Sequence, residues 1–333
     1  MWESSLPLLR DPRSGERLEL ETSERLDGEV IEGALTCASS GARIPIRNGI
    51  PRFVKEDENY AENFGFEWDL FAEIQTDRLA RHSLSTDRFF NQVSFSPGEM
   101  KGLRVLEAGC GGGRFSDVVL EAGAELFSFD LSNAVDKNRA IHTGHPRHHL
   151  FQASIFEPPF VPGSFDLVFC MGVLQHTPDP EAFFRQLIPF AKPGGELMID
   201  VYSAHPKQSL HWKYALRPIS KRLPHRMLLR GIEAVAPVLV PISRQVRRIP
   251  KLGKPLSRLI PIFVHDGFMG LIPREDEVRF AVLETFDALS PAYDRPRSLR
   301  TMRRWFRDAG FEEIHSFNVM NALNVARGRA PAR

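Results

Sequence analysis

The stretch "RVLEAGCGGGRFS", residues 104–116, constrains the fold of this 333-residue chain more than any other. An apolar run ends in an acid, Glu107. Three glycines follow at alternate positions, Gly109, Gly111 and Gly113, before a helical pattern begins near Arg114. Glycine permits backbone angles closed to other residues and lets a ligand approach the main chain. Strand, glycine turn and helix in that order open a βαβ unit, with the helix's first amides facing whatever the turn holds. The spacing is G-x-G-x-G, not the G-x-G-x-x-G of a dinucleotide site. An anionic Glu107 beneath the loop would repel a pyrophosphate and attract an amino group or a sulfonium.

The downstream pattern agrees with that start. Strand candidates "ELFSFD", "HHLFQA", "FDLVFCMG" and "GELMIDVYS" alternate with helices beginning near Ala134 and Asp179. Such alternation predicts an α/β fold with a doubly wound, mostly parallel sheet. "SLRTMRRWFRDAGF" has the pattern of an amphipathic helix closed by Gly310. "EEIHSFNV" and "ALNVARGR" follow as two strands joined tightly at Met320 and Asn321, which makes the last strand antiparallel, at or near a sheet edge. "LFSFD" ends in a second acid, Asp130, 21 positions after Gly109, where a carboxylate can accept both ribose hydroxyls. Two acids around a glycine turn suit a ligand with a ribose, an amino-acid head and no phosphate.

Residues 103–201 resemble the class I S-adenosylmethionine-dependent methyltransferases of the small-molecule type. "VLEAGCGGG" is similar to the first motif of that family at every position, and Asp130 matches its ribose-binding acid. "GSFDLVFCMGVLQHTPDP" and "AKPGGELMIDVY" match the fourth-strand and fifth-strand motifs. The resemblance implies a seven-stranded, Rossmann-like methyltransferase sheet, S-adenosylmethionine as cofactor and S-adenosylhomocysteine as product. It carries the cofactor role to Glu107, Gly109, Cys110, Gly111 and Gly113, and to Asp130 and Leu131. It extends further to Ser154 and Ile155, and to Met171 and Gly172. "FQASIFEPPF" departs from the family at Ser154, where an aspartate usually meets the adenine amine. Tyr60, Phe64 and Trp68 read either as a lid on the cofactor or as plain packing.

A hydroxyl or amine acceptor must lose a proton during methyl transfer, so a nearby base helps. His176 lies just past strand four, at the carboxyl edge where open α/β sheets bind ligands. Its ordinary pKa near 6.5 suits a base at neutral pH; the other reading is that it shapes the loop. Tyr202, Ser203 and His205 leave strand five at the same edge. Tyr293 and Asp287 lie in "ETFDALSPAYDRP", which resembles the acceptor-contacting stretch of relatives; a core aromatic and a helix-end contact are the plainer alternatives. His176, Tyr202 and Tyr293 are the catalytic candidates.

"GALTCASSGARIPIRNGIPRF" resembles the second half of a small zinc-ribbon-like domain that precedes some methyltransferases. Only Cys37 remains of the cysteines such a domain uses, and the first pair's region reads "LPLLRDPRSG". One thiolate cannot hold structural zinc, so a metal-free remnant is expected. With three cysteines, no signal-peptide pattern at the start and no apolar run near the ~18 residues of a membrane helix, a cytoplasmic setting is expected.

Charge is strongly segregated. Residues 205–260 hold thirteen Lys or Arg against one acid, Glu233, so this stretch carries +12 in a chain whose net charge is +1. Eight prolines between Pro206 and Pro261 weaken the case for any long helix there. One reading makes the stretch a helical insertion that roofs the acceptor pocket, its arginines pairing with an anionic substrate. Others are an oligomer contact, RNA binding or peripheral membrane contact. Nucleic acid is disfavoured, because "FCMGVLQH" is not the Asn/Asp-Pro-Pro-aromatic type used on base amines.

The expected organisation is a ribbon-like β subdomain (1–55), a helical cap (56–100), a cofactor-binding core (101–204), a basic insertion (205–285) and the rest of the core sheet (286–333). The expected activity is O-methylation of a hydroxyl on a secondary metabolite, a sugar or an anionic intermediate. C-methylation, RNA methylation and a catalytically degenerate scaffold are the rival readings.

Overall fold

Short apolar runs buried on both faces pair as parallel strands, because helices on either side supply the cover. Five runs do so in the computed structural model, which describes residues 1–54, 62–204, 211–264, 274–320 and 322–332. They are β5 (Arg104–Ala108), β6 (Glu125–Asp130), β7 (His148–Gln152), β8 (Phe165–Cys170) and β9 (Ala191–Tyr202). With the closing hairpin, β10 (Glu312–Val319) and β11 (Leu323–Arg329), they form a seven-stranded sheet of order β10-β11-β9-β8-β5-β6-β7. Only β11 runs antiparallel to its neighbours, and β10, not the last strand, takes the edge. Asn321 lies outside the described residues.

The winding places the site. From β5 the chain steps outward through β6 to β7, then returns to the other side of β5 for β8 and β9. The carboxyl ends of β5 and β8 therefore flank the point where strand order reverses, the usual ligand crevice of such sheets. Helices start where the sequence marks them. Gly113, at φ 96°, precedes Arg114–Glu121. The Asp179 carboxylate accepts from the Glu181 and Ala182 amides ahead of Pro180–Leu187. In the final helix, Leu299–Asp308, Met302, Trp305 and Phe306 are buried, and Trp305 stacks on Phe184.

Residues 19–51 form a four-stranded antiparallel sheet, β1 (Glu19–Leu26), β2 (Glu29–Cys37), β3 (Ala42–Arg47) and β4 (Ile50–Pro51). It covers the β7 edge: the Phe53 amide donates to the Gln152 carbonyl, Arg52 pairs with Asp136, and Arg139 grips Glu29 with both terminal nitrogens. Asp11 with Ser14, and Cys37 with Ser40, keep two C-x-x-C spacings, and the four side chains converge. The Ser14 and Ser40 hydroxyls both bond Asp11. Hydrogen bonds from Ser39, Ser40 and Ser14 pull the Cys37 thiol down to about 7. Among the described residues, no group of three or more His, Cys, Asp or Glu is arranged to hold a metal.

The insertion corrects two expectations. α8, His225–Arg247, is a 23-residue helix that runs straight through Pro237 and Pro241, against the expectation that prolines would break it. Both prolines face solvent, where water can serve the freed carbonyls, while Leu228, Leu229, Ile232, Ala236 and Val240 bury a continuous stripe. The helix Arg274–Leu289 crosses the boundary drawn at 285, because Phe286 and Leu289 continue its buried side. No helix of the described residues is long and apolar enough to cross a membrane.

Candidate active site

The loop after β5 is shaped by its glycines. Gly109, Gly111 and Gly113 have φ of 78°, 51° and 96°. At Gly111 a Cβ would lie 2.3 Å from Trp68 Nε1, and at Gly112 it would lie 2.5 Å from Trp68 Cε3. The indole thus lies directly against the loop. Val173, following β8, closes on Gly109 from the other side, where a Cβ would meet its methyl at 2.5 Å. Of the three aromatics offered as a lid, Tyr60 lies outside the described residues and Trp68 is the one seen against the loop.

The two acids sit as strand ends require. Asp130 Oδ2 accepts the Gly111 amide at 2.9 Å, and Oδ1 accepts the Ser132 amide and hydroxyl at 2.8 and 2.7 Å. Burial raises its pKa. Glu107 is 2% exposed and accepts the Ser116 hydroxyl at 2.6 Å. Leu131, Ser154 and Ile155 follow β6 and β7, and Met171 and Gly172 follow β8, all at the same edge. The Ser154 hydroxyl accepts the Phe156 amide at 3.2 Å, so it serves its own turn. Cys110 is buried, which pushes its thiol well above the ordinary range.

Burial pushes the Glu107 carboxyl up from 4.5 to about 8, against the opposing Ser116 hydrogen bond. The folded chain therefore keeps this proton in a window, from about 4.5 to about 8, where the unfolded chain loses it. The resulting stability is full below the unfolded value and is lost as pH rises toward the folded one. At about 1.4 kcal/mol per unit, the loss amounts to a few kcal/mol. Glu107→Gln is expected to flatten the fall of the thermal midpoint across that window. An unchanged slope would assign the proton to another group.

A second cluster gathers past the ends of β8 and β9, at the same edge of the sheet. His176 Nδ1 lies 3.1 Å from the Tyr293 carbonyl, which can only accept, so Nδ1 carries the proton and Nε2 the lone pair. Nε2 is 3.9 Å from Asp287 Oδ1, and the Tyr202 hydroxyl donates to Asp287 Oδ2 at 2.8 Å. The Tyr202 ring meets the imidazole edge-on at 5.5 Å. Burial lowers the His176 pKa despite the nearby Asp287, keeping the ring neutral. Tyr293 contributes its backbone to this cluster, while its ring lies under Arg295. Ser203 pairs with Arg297 in a short bridge, and His205 lies outside the described residues.

The structure adds residues the sequence reading passed over. Asp200, fully buried on β9, accepts the Gly172 amide at 2.6 Å and pairs with Arg88 at 2.7 Å. Arg88 and Arg114 flank the Phe115 ring, each 5.3 Å from its centre. Burial and then Arg88 lower Arg114 to about 10. Glu67 is buried, and burial, Asp287 and Glu284 raise it well above the carboxylate range. Asp200 carried a signal, as a third acid near a strand end. Arg88 and Glu67 carried none.

The roof differs from expectation as well. Lys213 and Arg217, two of the thirteen basic residues of the stretch, are buried and turn to Asp294, Lys213 at 2.8 Å. Arg217 also donates to the Ala288 and Pro291 carbonyls. A buried cation needs such partners, and this chain supplies them internally.

A seven-stranded, mostly parallel sheet with a glycine loop after β5 and an acid at the end of β6 is that of the class I S-adenosylmethionine-dependent methyltransferases. Residues 75–230 match the family model described as "Methyltransferase domain", and the chain carries such a domain. A ubiquinone biosynthesis O-methyltransferase of Xanthomonas euvesicatoria pv. vesicatoria is 33% identical over 136 residues, 40% of this chain and 55% of that protein. One of the same name from Photorhabdus laumondii subsp. laumondii is 28% identical over 160 residues, 47% of this chain and 65% of that protein. The chain thus spans little more than half the length of these curated relatives. Among solved structures, the magnesium protoporphyrin IX methyltransferase of Synechocystis PCC 6803 is 13% identical, with 80% of this chain and 86% of that one covered, at a TM-score of 0.40.

Proposed function

We propose that this chain methylates a hydroxyl oxygen of a small acceptor held between the glycine loop and the His176–Tyr202–Asp287 cluster. The observation that carries this reading is the tautomer of His176. The Tyr293 carbonyl holds Nδ1 as the donor, which leaves Nε2 as the basic nitrogen, and Asp287 stands 3.9 Å away to stabilise the imidazolium. The relatives named as O-methyltransferases support oxygen as the accepting atom.

The loop fits the cofactor on its own geometry. We assign Asp130 to the ribose hydroxyls and Glu107 to the ammonium of the amino-acid head, beside which its carboxyl would ionise. Arg88 is held by Asp200, so Arg114 is the guanidinium we assign to its carboxylate. When bound, S-adenosylmethionine supplies an electrophilic methyl carbon on a cationic sulfur. The chain's part is to hold the acceptor in line, to exclude water with Trp68 and the roof, and to take the hydroxyl proton at Nε2. Three acids, Glu67, Glu284 and Asp287, influence this space and the roof's inner cations are already paired, so we assign a neutral hydroxylated acceptor rather than an anionic one.

The test is methyl transfer from radiolabelled S-adenosylmethionine into a cell extract, with one portion treated with ribonuclease. Label is expected in small or lipid-extractable molecules, to survive the treatment, and to be released as methyl iodide by hydriodic acid, which cleaves a methyl ether but not a methyl group on carbon. Label abolished by ribonuclease would overturn the reading.

A further inference from the structure

An amphipathic helix of a water-exposed protein has one apolar stripe, turned to the core. α8 has two. Its inner stripe packs into the core of the insertion. On the outer side, Met227, Val235, Val238 and Ile242 recur at the i, i+8, i+11, i+15 spacing of a single helical face, at 53%, 44%, 61% and 46% exposure. The segment that follows continues the theme, with Leu252 and Leu259 more than half exposed. Ten of the fourteen large apolar side chains exposed among the described residues fall between Leu216 and Leu259. That concentration separates this face from ordinary scattered exposure.

The charges along this surface are mostly positive, with Glu233 the one acid of α8. Arg226, Arg230, Arg248 and Lys251 are exposed, and none of them pairs with a carboxylate among the described residues. The acids nearest in sequence do not balance them: Glu233 is alone within 205–260, and Glu277 is taken by Arg244. On a helical wheel Arg226, Arg230 and Arg248 line one margin of the outer apolar stripe.

We propose that this face of the insertion docks the protein on an anionic lipid bilayer, with the α8 stripe in the headgroup boundary and the flanking cations on lipid phosphates. An apolar stripe edged by unpaired cations matches that surface in both respects. A second copy of the chain does not, because a two-fold contact would bring like charges together. A nucleic acid would leave the valine–isoleucine stripe without a partner. The proposal stands apart from the O-methylation reading, since it concerns binding and not transfer.

The test is co-sedimentation of the full chain with vesicles of mixed phosphatidylglycerol and phosphatidylcholine, and with phosphatidylcholine alone. Binding is expected to the mixed vesicles, to weaken with salt, and to be at least about tenfold weaker on phosphatidylcholine. Val235→Asp with Val238→Asp, and separately Arg226→Gln with Arg230→Gln, are each expected to lower it about tenfold or more. Both pairs face solvent, so S-adenosylmethionine affinity should not change, and that affinity reports an intact fold. Equal binding to both vesicle types, or variants that sediment like the parent chain, would overturn the proposal. So would a concentration-dependent dimer, seen by analytical ultracentrifugation, that the valine pair abolishes; the face would then belong to a second copy. An inactive chain that still sediments would count against the O-methylation reading only.

Discussion

Gly111→Ala is expected to weaken S-adenosylmethionine binding by about a hundredfold, measured by titration calorimetry. Three effects act together at this residue. Its φ of 51° is unfavourable for an L side chain, at roughly 1 kcal/mol. The new Cβ would lie 2.3 Å from Trp68 Nε1 and 2.6 Å from Cε2, so either the indole or the loop must move. Overpacking of that kind costs typically ~1–3 kcal/mol. The Gly111 amide also donates to Asp130 Oδ2, so loop movement disturbs the carboxylate proposed to take the ribose. At about 1.4 kcal/mol per factor of ten, these costs reach the expected loss. Adding Trp68→Ala should recover much of the thermal stability but little of the affinity, because the indole itself is then missing. Affinity within about twofold of the parent chain would show that the loop does not hold the cofactor.

His176→Gln is expected to lower kcat by about 10²–10⁴-fold while leaving cofactor affinity unchanged. Glutamine can still donate to the Tyr293 carbonyl but offers no basic nitrogen on the side facing Asp287. The pH profile discriminates further. Burial lowers the His176 pKa, so the neutral ring predominates from below its ordinary value of 6.5 upward. The parent chain should lose rate as pH falls through that lowered value and hold a plateau at neutral pH. The glutamine variant should lack this acidic limb. A loss under about tenfold for both His176→Gln and His176→Ala would leave His176 a loop-shaping role only.

Much of the architecture was legible because local patterns record local physics. The two-sided burial of a parallel strand shows as a short apolar run, and the turn after β5 shows as glycines at positive φ. The start of Pro180–Leu187 is written in Asp179 and Pro180. The site's second half was not legible in that way. Arg88 and Asp200 are 112 positions apart in the sequence and meet only because α3, Leu84–Phe90, packs beside the β9 end. Glu67, Glu284 and Asp287 belong to helices whose own patterns give no reason for acids to converge. The insertion misled for a related cause. Its basic composition suggested an anionic substrate, yet burial turned Lys213 and Arg217 toward Asp294. Its prolines suggested interruption, yet packing on one side of α8 held the helix together.

The sequence by itself determined the doubly wound sheet, the glycine loop with its two acids, and the class of ligand that loop can take. These follow from short-range sterics and from burial with a fixed period, which neighbouring residues settle among themselves. Only the tertiary structure decided which His176 nitrogen is basic, which cations are already paired, and which face of the insertion is left apolar and open. Those outcomes depend on contacts between elements a hundred or more residues apart, and desolvation sets their energies only after the chain has packed.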